Sequence, residues 1–315
     1  MPRNKVQFQK GMSLAEFLAR YGTEAQCAQA LHAWRWPEGF VCPGCGYPGH
    51  CRLGRGLLQC HRCRRQTSLT SGTLLAGTKL PLTIGLLAIY LLTQSKDGLA
   101  ALNLSRQLGI SYHSAWLLKH KLMQTMLERE RGRSLRGVIH LDDAYWGGRR
   151  RGYKRGRGSR NKTPFVAAVA THPDSGKPLF MCMDRVRGFR GRELGRWSRQ
   201  HLVAGAQLRS DGLRCFAAVK QAGCTHQPLR TSGRAGRQHR EAMIWVDTML
   251  GNVKNAMQGT YHAIRAKHLP RYLAEFSYRF NRRFDLAAMV GRLGRAATVT
   301  PPMPYRLVKL AEAHW

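Results

Sequence analysis

Acidic residues are scarce in this chain of 315 residues. It holds 17 aspartates and glutamates against 52 lysines and arginines, which gives a formal net charge of +35. A charge of that size repels itself in a compact monomer unless a polyanion neutralises it. The composition therefore predicts a partner that is either a nucleic acid or an anionic membrane surface.

Long apolar runs are also missing. The longest, at residues 80–92, has 13 residues, whereas a helix that crosses a bilayer needs about 20. The basic residues near the start are not followed by an apolar stretch or a small-residue cleavage site, which excludes a secretory signal. Hydrophobic residues still make up 43% of the chain, so global disorder is excluded as well.

The cysteines do not suit a disulfide framework. There are nine of them, an odd number, and four form two closely spaced pairs. That pattern is typical of metal binding in a reducing compartment. We therefore expect a cytoplasmic protein that binds nucleic acid, with no membrane partner.

Four cysteines have the spacing of a zinc site. Cys42 and Cys45 form one C-x-x-C turn and Cys60 and Cys63 form a second, with 14 residues between them. Zn²⁺ prefers four soft ligands in a tetrahedron, and two tight turns can each supply a pair of thiolates. We predict one structural Zn²⁺.

Two alternatives to this ligand set are less favoured. His50 and Cys51 are possible substitute ligands but are better interpreted as bystanders. A redox role suits a single C-x-x-C at the start of a helix better than the two C-x-x-C turns found here.

The isolated cysteines do not have the spacing of a zinc site or a redox motif. Each is predicted to be a small buried residue; they are Cys27, Cys182, Cys215 and Cys224.

Residues 98–122 predict a helix-turn-helix segment. Leu99, Leu102, Leu104 and Leu108 would form one apolar face, and Gly109 stands where the turn would be. Ser111 can cap a second helix whose first polar residues would enter the major groove of DNA. An ordinary helical hairpin is the alternative. The DNA-contacting residues predicted here are Arg106, Tyr112, His113 and Lys119.

The pattern after residue 137 changes from helical to mainly β. Three β-rich runs, a helical stretch and a fourth strand are followed by a long helix at residues 240–258 and a second at residues 268–283. This β-β-β-α-β order is that of a ribonuclease-H-like fold. The predicted class is α/β (α+β), in three parts: N-terminal helices with a zinc ribbon (1–75), a helix-turn-helix-like segment (76–130) and a catalytic domain (131–315).

Five of the few carboxylates lie where a charge would be costly. A carboxylate near the end of a buried strand needs a partner or a metal ion. Several carboxylates gathered in so basic a protein require a cation between them, and oxygen ligands suit Mg²⁺ or Mn²⁺. Two such ions can clamp the attacking and leaving oxygens of a phosphodiester. The five are Asp142, Asp143, Asp184, Asp211 and Asp247.

Asp247 and Lys254 share one face of the long predicted helix, because seven residues make two turns less about 20°. Such a face could offer an acid to a metal ion and a lysine to a phosphate, although a helical ion pair is the plainer interpretation.

Glu275 lies in a basic, aromatic segment and could pair with a nearby arginine.

Residues 149–162 form a basic stretch between the first two predicted strands. Eight of these fourteen residues are lysine or arginine, and the interleaved glycines indicate a loop. A solvated loop is one interpretation, and a clamp on the DNA backbone beside the acidic site is the other. The basic residues are Arg149, Arg150, Arg151, Lys154, Arg155, Arg157, Arg160 and Lys162.

The ordered set of motifs resembles the bacterial insertion-sequence transposases of the ISXO-like group. The matching segments are CPGC…CHRC with RRQTSLTSGT, SRQLGISYHSAWLLKHKLM, LDDAYWGG, SDG, and WVDTMLGNVKNAMQGTYH…YLAEFSYRFNRR. They run from about residue 15 to residue 285. The group consists of DDE-type enzymes with an N-terminal zinc ribbon.

The resemblance implies a ribonuclease-H-like catalytic domain with two divalent ions, either Mg²⁺ or Mn²⁺. It implies cleavage of transposon ends in double-stranded DNA and transfer of the freed 3′-hydroxyl to target DNA, by a homo-oligomer at the nucleoid. The catalytic positions carried over are Asp142, Asp211 and Asp247, with Lys254 as the associated basic residue. The group usually has Glu or Asn at the third position, where this chain has Asp. Asp143 is the second choice for the first position.

Two other functions fit the same residues. One is a DNA-binding regulator with an inactive site, and the other is a structure-specific nuclease that cuts branched DNA without joining it. Binding of RNA by the zinc ribbon is a weaker possibility.

Overall fold

The computed structural model describes residues 10–148, 162–229 and 235–311, and in residues 235–241 it describes the backbone alone. The described chain divides into two compact units. The first combines residues up to 95 with residues 99–125 and the C-terminal residues from 283. The second contains residues 96–98 and 126–282.

The first unit is mainly helical. Ser13 and Thr23 begin the first two helices with side-chain caps. Three short strands follow in an antiparallel sheet of order β1-β2-β3. The elements of the first unit are α1 (Leu14–Tyr21), α2 (Glu24–Arg35), β1 (His50–Arg52), β2 (Leu58–Cys60), β3 (Gln66–Thr67), α3 (Leu82–Gln94), α4 (Ala101–Leu108), most of α5 (Tyr112–Arg131), α9 (Met289–Val299) and α10 (Tyr305–Leu310).

Two helices joined by a tight turn occupy the segment predicted as a helix-turn-helix. Gly109 ends α4 in the left-handed conformation at φ 63°, and the Oγ of Ser111 accepts the N–H of Ser114 at the start of α5. Leu104 and Leu108 are buried, but Leu102 is 48% exposed. The predicted apolar face is therefore wrong at Leu102, because two positions along a helix turn a side chain by about 200° and place Leu102 opposite Leu104.

The second unit is built around one mixed sheet. Its elements are β4 (Val138–Trp146), β5 (Thr163–Thr171), β6 (Pro178–Arg185), α6 (Gly191–His201), β7 (Gln207–Ser210), a 3-10 helix (Arg214–Ala222), β8 (Thr225–Pro228), α7 (Ala235–Tyr261) and α8 (Leu269–Asn281).

The strand order of this sheet is β6-β5-β4-β7-β8. β4, β5 and β6 pair antiparallel, whereas β4, β7 and β8 run parallel. This order and these directions define a ribonuclease-H-like fold, as the sequence predicts. The change to a mainly β pattern that the sequence predicts after residue 137 agrees with the start of β4 at Val138.

Both faces of the sheet are covered. One face buries Leu141 in a core that includes Leu194 and Trp197 of α6. The other buries Ala144 in a core that includes Val246 of α7. Because side chains alternate along a strand, Asp142 lies on the α7 face of the sheet and Asp143 lies on the α6 face.

The segment around α8 secures the edge strand β6. The side-chain Oδ1 of Asn281 accepts the N–H of Met181 at 2.8 Å, and its Nδ2 donates to the carbonyl of Met181 at 2.8 Å and to Glu130 at 2.6 Å. Glu275 pairs with Arg279 at 2.7 Å, which confirms the arginine partner expected for this acid. The amide of Asn281 thus pairs with β6 as a neighbouring strand would.

The units differ from the predicted domains at the C-terminus. Residues from 283 onward belong to the first unit and not to the ribonuclease-H-like unit. α9 packs against α2 and α3, and the N–H of Leu74 donates to the carbonyl of Ala297 at 3.1 Å. Within the described residues, we find no helix with the length and apolarity needed to cross a membrane.

Candidate active site and zinc ribbon

The two C-x-x-C turns have the same backbone geometry. In the first, the N–H of Gly46 donates to the carbonyl of Cys42, and in the second the N–H of Arg64 donates to the carbonyl of Cys60. Gly46 has a φ of 73° and Arg64 has a φ of 58°. Each turn therefore closes on a left-handed residue one position after its second cysteine.

The four sulfur atoms fit a tetrahedral metal ion. All four lie within 4.8 Å of one another, with Cys42 and Cys63 3.5 Å apart and Cys45 and Cys60 3.6 Å apart. Bonds of ~2.3 Å from zinc to sulfur give a sulfur–sulfur edge of about 3.8 Å. The N–H of Gly44 donates to the sulfur of Cys42 and lowers the pKa of that thiol to about 6. These residues would hold one Zn²⁺.

The remaining cysteines have other surroundings. Cys51 is exposed and is not part of the four-sulfur cluster, as predicted. The four isolated cysteines are all buried, which confirms their prediction; they are Cys27, Cys182, Cys215 and Cys224.

Two predicted catalytic acids emerge side by side from the sheet. Leu141 on β4 is paired with Ser210 on β7 across the parallel ladder. Asp142 directly follows Leu141, and Asp211 directly follows Ser210. Because the two strands run in the same direction, both carboxylates arise at the same end of the sheet.

The carboxylates of Asp142, Asp143 and Asp211 form one cluster. Each offers an oxygen, and these oxygens all lie within 4.8 Å of one another. The N–H of Asp143 donates to Oδ1 of Asp142 at 2.8 Å. Sequence alternation places the two aspartates on opposite faces, but their position near the end of the buried ladder lets both carboxylates approach Asp211.

The turn after β7 fixes the direction of Asp211. Its Oδ1 accepts the N–H of Leu213 at 3.1 Å. The preceding Ser210 is buried, and its Oγ contacts Nε2 of His226 on β8 at 2.8 Å and accepts the N–H of Gly212. The S-D-G motif is thus held by the neighbouring strand.

Asp247 approaches the cluster from α7. It is not one of the three acids within 4.8 Å, and its side chain is exposed. Its negative charge nevertheless acts on Asp142. Lys254 is half-buried two turns further along α7, on the same side of the helix.

Asp142 has a strongly perturbed pKa. Burial raises the pKa of its carboxyl to about 7, and the negative charges of Asp143, Asp211 and Asp247 act in the same direction. The hydrogen bond from the N–H of Asp143 opposes this shift. A cation placed among the acids would reverse the repulsion. Oxygen ligands of this kind suit Mg²⁺ or Mn²⁺, so the residues present fit hard divalent ions.

Asp184, the fifth carboxylate noted in the sequence, belongs to a different group. Its Oδ2 accepts Nε1–H of Trp197 at 3.2 Å and contacts Nε2 of His201 at 3.1 Å and the sulfur of Cys182 at 3.1 Å. These bonds tie the end of β6 to α6. Asp184 is therefore satisfied by the protein itself and lies outside the acidic cluster.

The predicted DNA-contacting residues of the helix pair divide into two groups. Arg106, Tyr112 and His113 are exposed. Lys119 is only 1% exposed, and its prediction as a DNA contact is wrong. The first turn of α5 reaches solvent, whereas the middle of the helix, at residues 115–127, is buried or half-buried throughout.

The predicted basic loop falls almost entirely outside the described residues. Lys162 lies directly before β5 and is half-buried. The other predicted contacts of this loop lie outside the described part of the chain; they are Arg149, Arg150, Arg151, Lys154, Arg155, Arg157 and Arg160.

The second unit combines a ribonuclease-H-like sheet with two carboxylates directly beyond the parallel β4–β7 ladder, and a ribbon of four clustered cysteines precedes it in the sequence. A family model described as an ISXO2-like transposase domain matches residues 134–281, and one described as a transposase zinc-ribbon domain matches residues 22–66. Together they cover more than half of the chain. The chain belongs to the insertion-sequence transposases with an N-terminal zinc ribbon.

Two similar solved structures are described as the Mos1 strand transfer complex and a pre-cleavage Mos1 transpososome. Identity is 11% for the first and 9% for the second, with TM-scores of 0.23 and 0.20. The matches cover 63% and 62% of this chain and 76% of each of those chains. Comparison with curated proteins gives no match.

Proposed function

We propose that this chain binds the ends of its own transposable element, cleaves them with divalent metal ions and joins the 3′-hydroxyl ends to target DNA. The observation that supports this most is the convergence of Asp142 and Asp211 directly beyond the last pair of the parallel β4–β7 ladder, on a sheet covered by the helix of Asp247. The match to a transposase domain over these same residues gives the reaction class.

The chain's own residues have distinct roles in this proposal. Asp142, Asp211 and Asp247 hold two divalent ions, which when bound activate the attacking oxygen and stabilise the leaving oxygen of a phosphodiester. Lys254 binds a phosphate oxygen and orients the scissile strand. The carboxylate of Asp143 lies within 4.8 Å of those of Asp142 and Asp211 and adds negative charge to the site. Asp at the third position keeps a charged ligand with a side chain one methylene shorter than Glu.

DNA is held by surfaces apart from these acids. Arg106, Tyr112 and His113 face outward on the helix pair, where they would contact base edges and phosphates. The basic loop at residues 149–162 would follow the backbone of the duplex. Zn²⁺ bound by the four ribbon cysteines would stabilise the fold of that domain and take no part in chemistry.

A homo-oligomer on DNA is part of the proposal, because two element ends must be joined to one target. The place of action would be the cytoplasm at the nucleoid, where such a target is found.

The test uses the full chain with duplexes taken from the DNA on each side of its gene. When Mg²⁺ or Mn²⁺ is added, the full chain should nick those duplexes at one position and join the new 3′ end to a plasmid. Asp142→Asn should bind the same duplexes without nicking them. Binding without nicking by the wild type would indicate an inactive regulator, and cutting of branched DNA without joining would indicate a structure-specific nuclease.

A further inference from the structure

The C-terminal helix α10 lies beside the first turn of α5. The ring of Tyr305 packs at 4.7 Å from the ring of His113, centroid to centroid, and meets Trp116 edge-on at 6.2 Å. Met303 and Val308 anchor the same segment in the core of the first unit, at 1% and 0% exposed. The exposed residue at the start of α5 thus has a neighbour from the far end of the chain.

The outward side of α10 is basic. Arg306 and Lys309 are both exposed, and three positions apart on a helix they share one side. Nζ of Lys309 lies 5.8 Å from the ring centroid of Tyr305, within the range of a cation–π contact. The contact holds the ammonium group close to the ring that packs on His113.

Acidic side chains are missing from both parts of this surface. The sequence has no aspartate or glutamate from Gly98 to Leu127 and none from Leu286 to Ala311. The helix pair and α10 therefore bring together basic, aromatic and polar groups without a carboxylate from either segment. A surface of this charge favours a polyanion, since no carboxylate of these segments weakens the attraction of its cations for phosphate.

We propose that Arg306 and Lys309 bind backbone phosphates of the same DNA duplex whose major groove receives the first turn of α5. The inference rests on the proposed function and adds the C-terminal helix to the DNA-binding surface. In helix-turn-helix proteins the recognition helix reads bases with its first residues while neighbouring elements hold the flanking backbone. α10 is placed to supply that second kind of contact, because Tyr305 fixes it against His113.

The experiment measures the affinity of the full chain for an element-end duplex at several salt concentrations. Each phosphate contact contributes about 0.9 to the slope of log affinity against log salt. Arg306→Ala with Lys309→Ala should lower the slope by about 1.8 and weaken binding roughly tenfold or more near 0.15 M salt. Arg306→Gln with Lys309→Gln should do the same, which keeps the test valid if the alanine pair unfolds α10.

A matched control is available on α9. Arg292 and Arg295 are exposed and have the same spacing, so Arg292→Ala with Arg295→Ala removes the same formal charge from α9. It also breaks the ion pair between Arg292 and Asp285, which are 2.6 Å apart. This double variant should leave the slope unchanged. An equal fall of the salt slope in the α9 and α10 double variants would mean that only the total charge matters, and it would overturn the assignment to α10.

The remaining outcomes separate this inference from the proposed function. A wild type that nicks its element ends, together with an unchanged slope in the α10 variants, overturns the inference alone. A wild type that shows no metal-dependent nicking of its element ends overturns the proposed function, while the salt slopes still test α10. Tighter binding of single-stranded RNA of equal length, lost in the α10 variants, would overturn the assignment to duplex DNA.

Discussion

Asp142 and Asp211 are the first residues beyond a pair, Leu141 and Ser210, that face each other across two parallel strands. This relationship is the basis of the candidate active site, because it brings two carboxylates from positions 69 residues apart to one end of the sheet. The two acids therefore depend on the register of β4 against β7, and a change in that register would separate them.

Removal of single carboxylates should separate chemistry from DNA binding. Asp142→Asn, Asp211→Asn and Asp247→Asn should each lower metal-dependent nicking by roughly 100-fold or more, on the order of the loss of a preorganised electrostatic contact. Asp143→Asn should be milder, because the family resemblance assigns Asp142 and not Asp143 to the first catalytic position, although the carboxylate of Asp143 lies in the same cluster. Nicking of labelled end duplex and gel-shift affinity measured together check this. Full nicking by Asp247→Ala would exclude Asp247 as a ligand.

Lys254 should affect the rate and not the binding of metal. Lys254→Ala removes the phosphate contact proposed on α7, so single-turnover nicking should slow while the Mn²⁺ concentration needed for half-maximal rate stays the same. Asn255→Ala, a change at the next and exposed position of α7, is the control. A large rise in the Mn²⁺ requirement of Lys254→Ala would contradict this role.

The raised pKa of Asp142 predicts how stability depends on pH. The carboxyl has an ordinary pKa of 3.8 and one of about 7 in the folded chain. Folding therefore gains stability from this group below about pH 4, and the gain is lost as pH rises through 7. Without divalent cations, urea unfolding should show this loss in the wild type and less of it in Asp142→Asn.

Addition of Mg²⁺ at about pH 8 gives a second test of the same site. It should raise the unfolding midpoint of the wild type more than that of Asp142→Asn, since a bound ion stabilises the folded state. Identical pH profiles and identical Mg²⁺ responses in the two proteins would show that Asp142 is not a cation ligand.

Zinc content should depend on the four ribbon cysteines. Metal analysis of the purified wild type should find about one zinc per chain, and Cys60→Ser with Cys63→Ser should lose it, because two thiolates cannot replace four. Cys51→Ser, outside the cluster, should keep the zinc. Retention of zinc by the double variant would refute the site.

Local patterns account for the parts of the fold that the sequence predicts. The β-branched residues Val138 and Ile139 mark the start of β4, and the spacing of the four ribbon cysteines marks the ribbon. The burial of Lys119 has no such signal, because helical periodicity says nothing about which turns of a long helix are enclosed. Strict alternation places the side chains of Asp142 and Asp143 on opposite faces of β4 and therefore does not predict that both carboxylates lie within 4.8 Å of Asp211. The contact of Tyr305 with His113 joins residues far apart in sequence, and neither position carries a motif that links them.

The division of the chain into units has a consequence for its synthesis. The ribonuclease-H-like unit is an insertion within the first unit, whose helix α9 supplies buried residues such as Leu293 and is made after residue 282. The catalytic fold therefore has all of its residues when the ribosome reaches α9, whereas the ribbon-bearing unit still lacks part of its core. A chain interrupted at that point would carry the acidic cluster of the sheet without the helices that complete the first unit. Translation of the last helices therefore completes the core of the ribbon-bearing unit after every residue of the ribonuclease-H-like unit has been made.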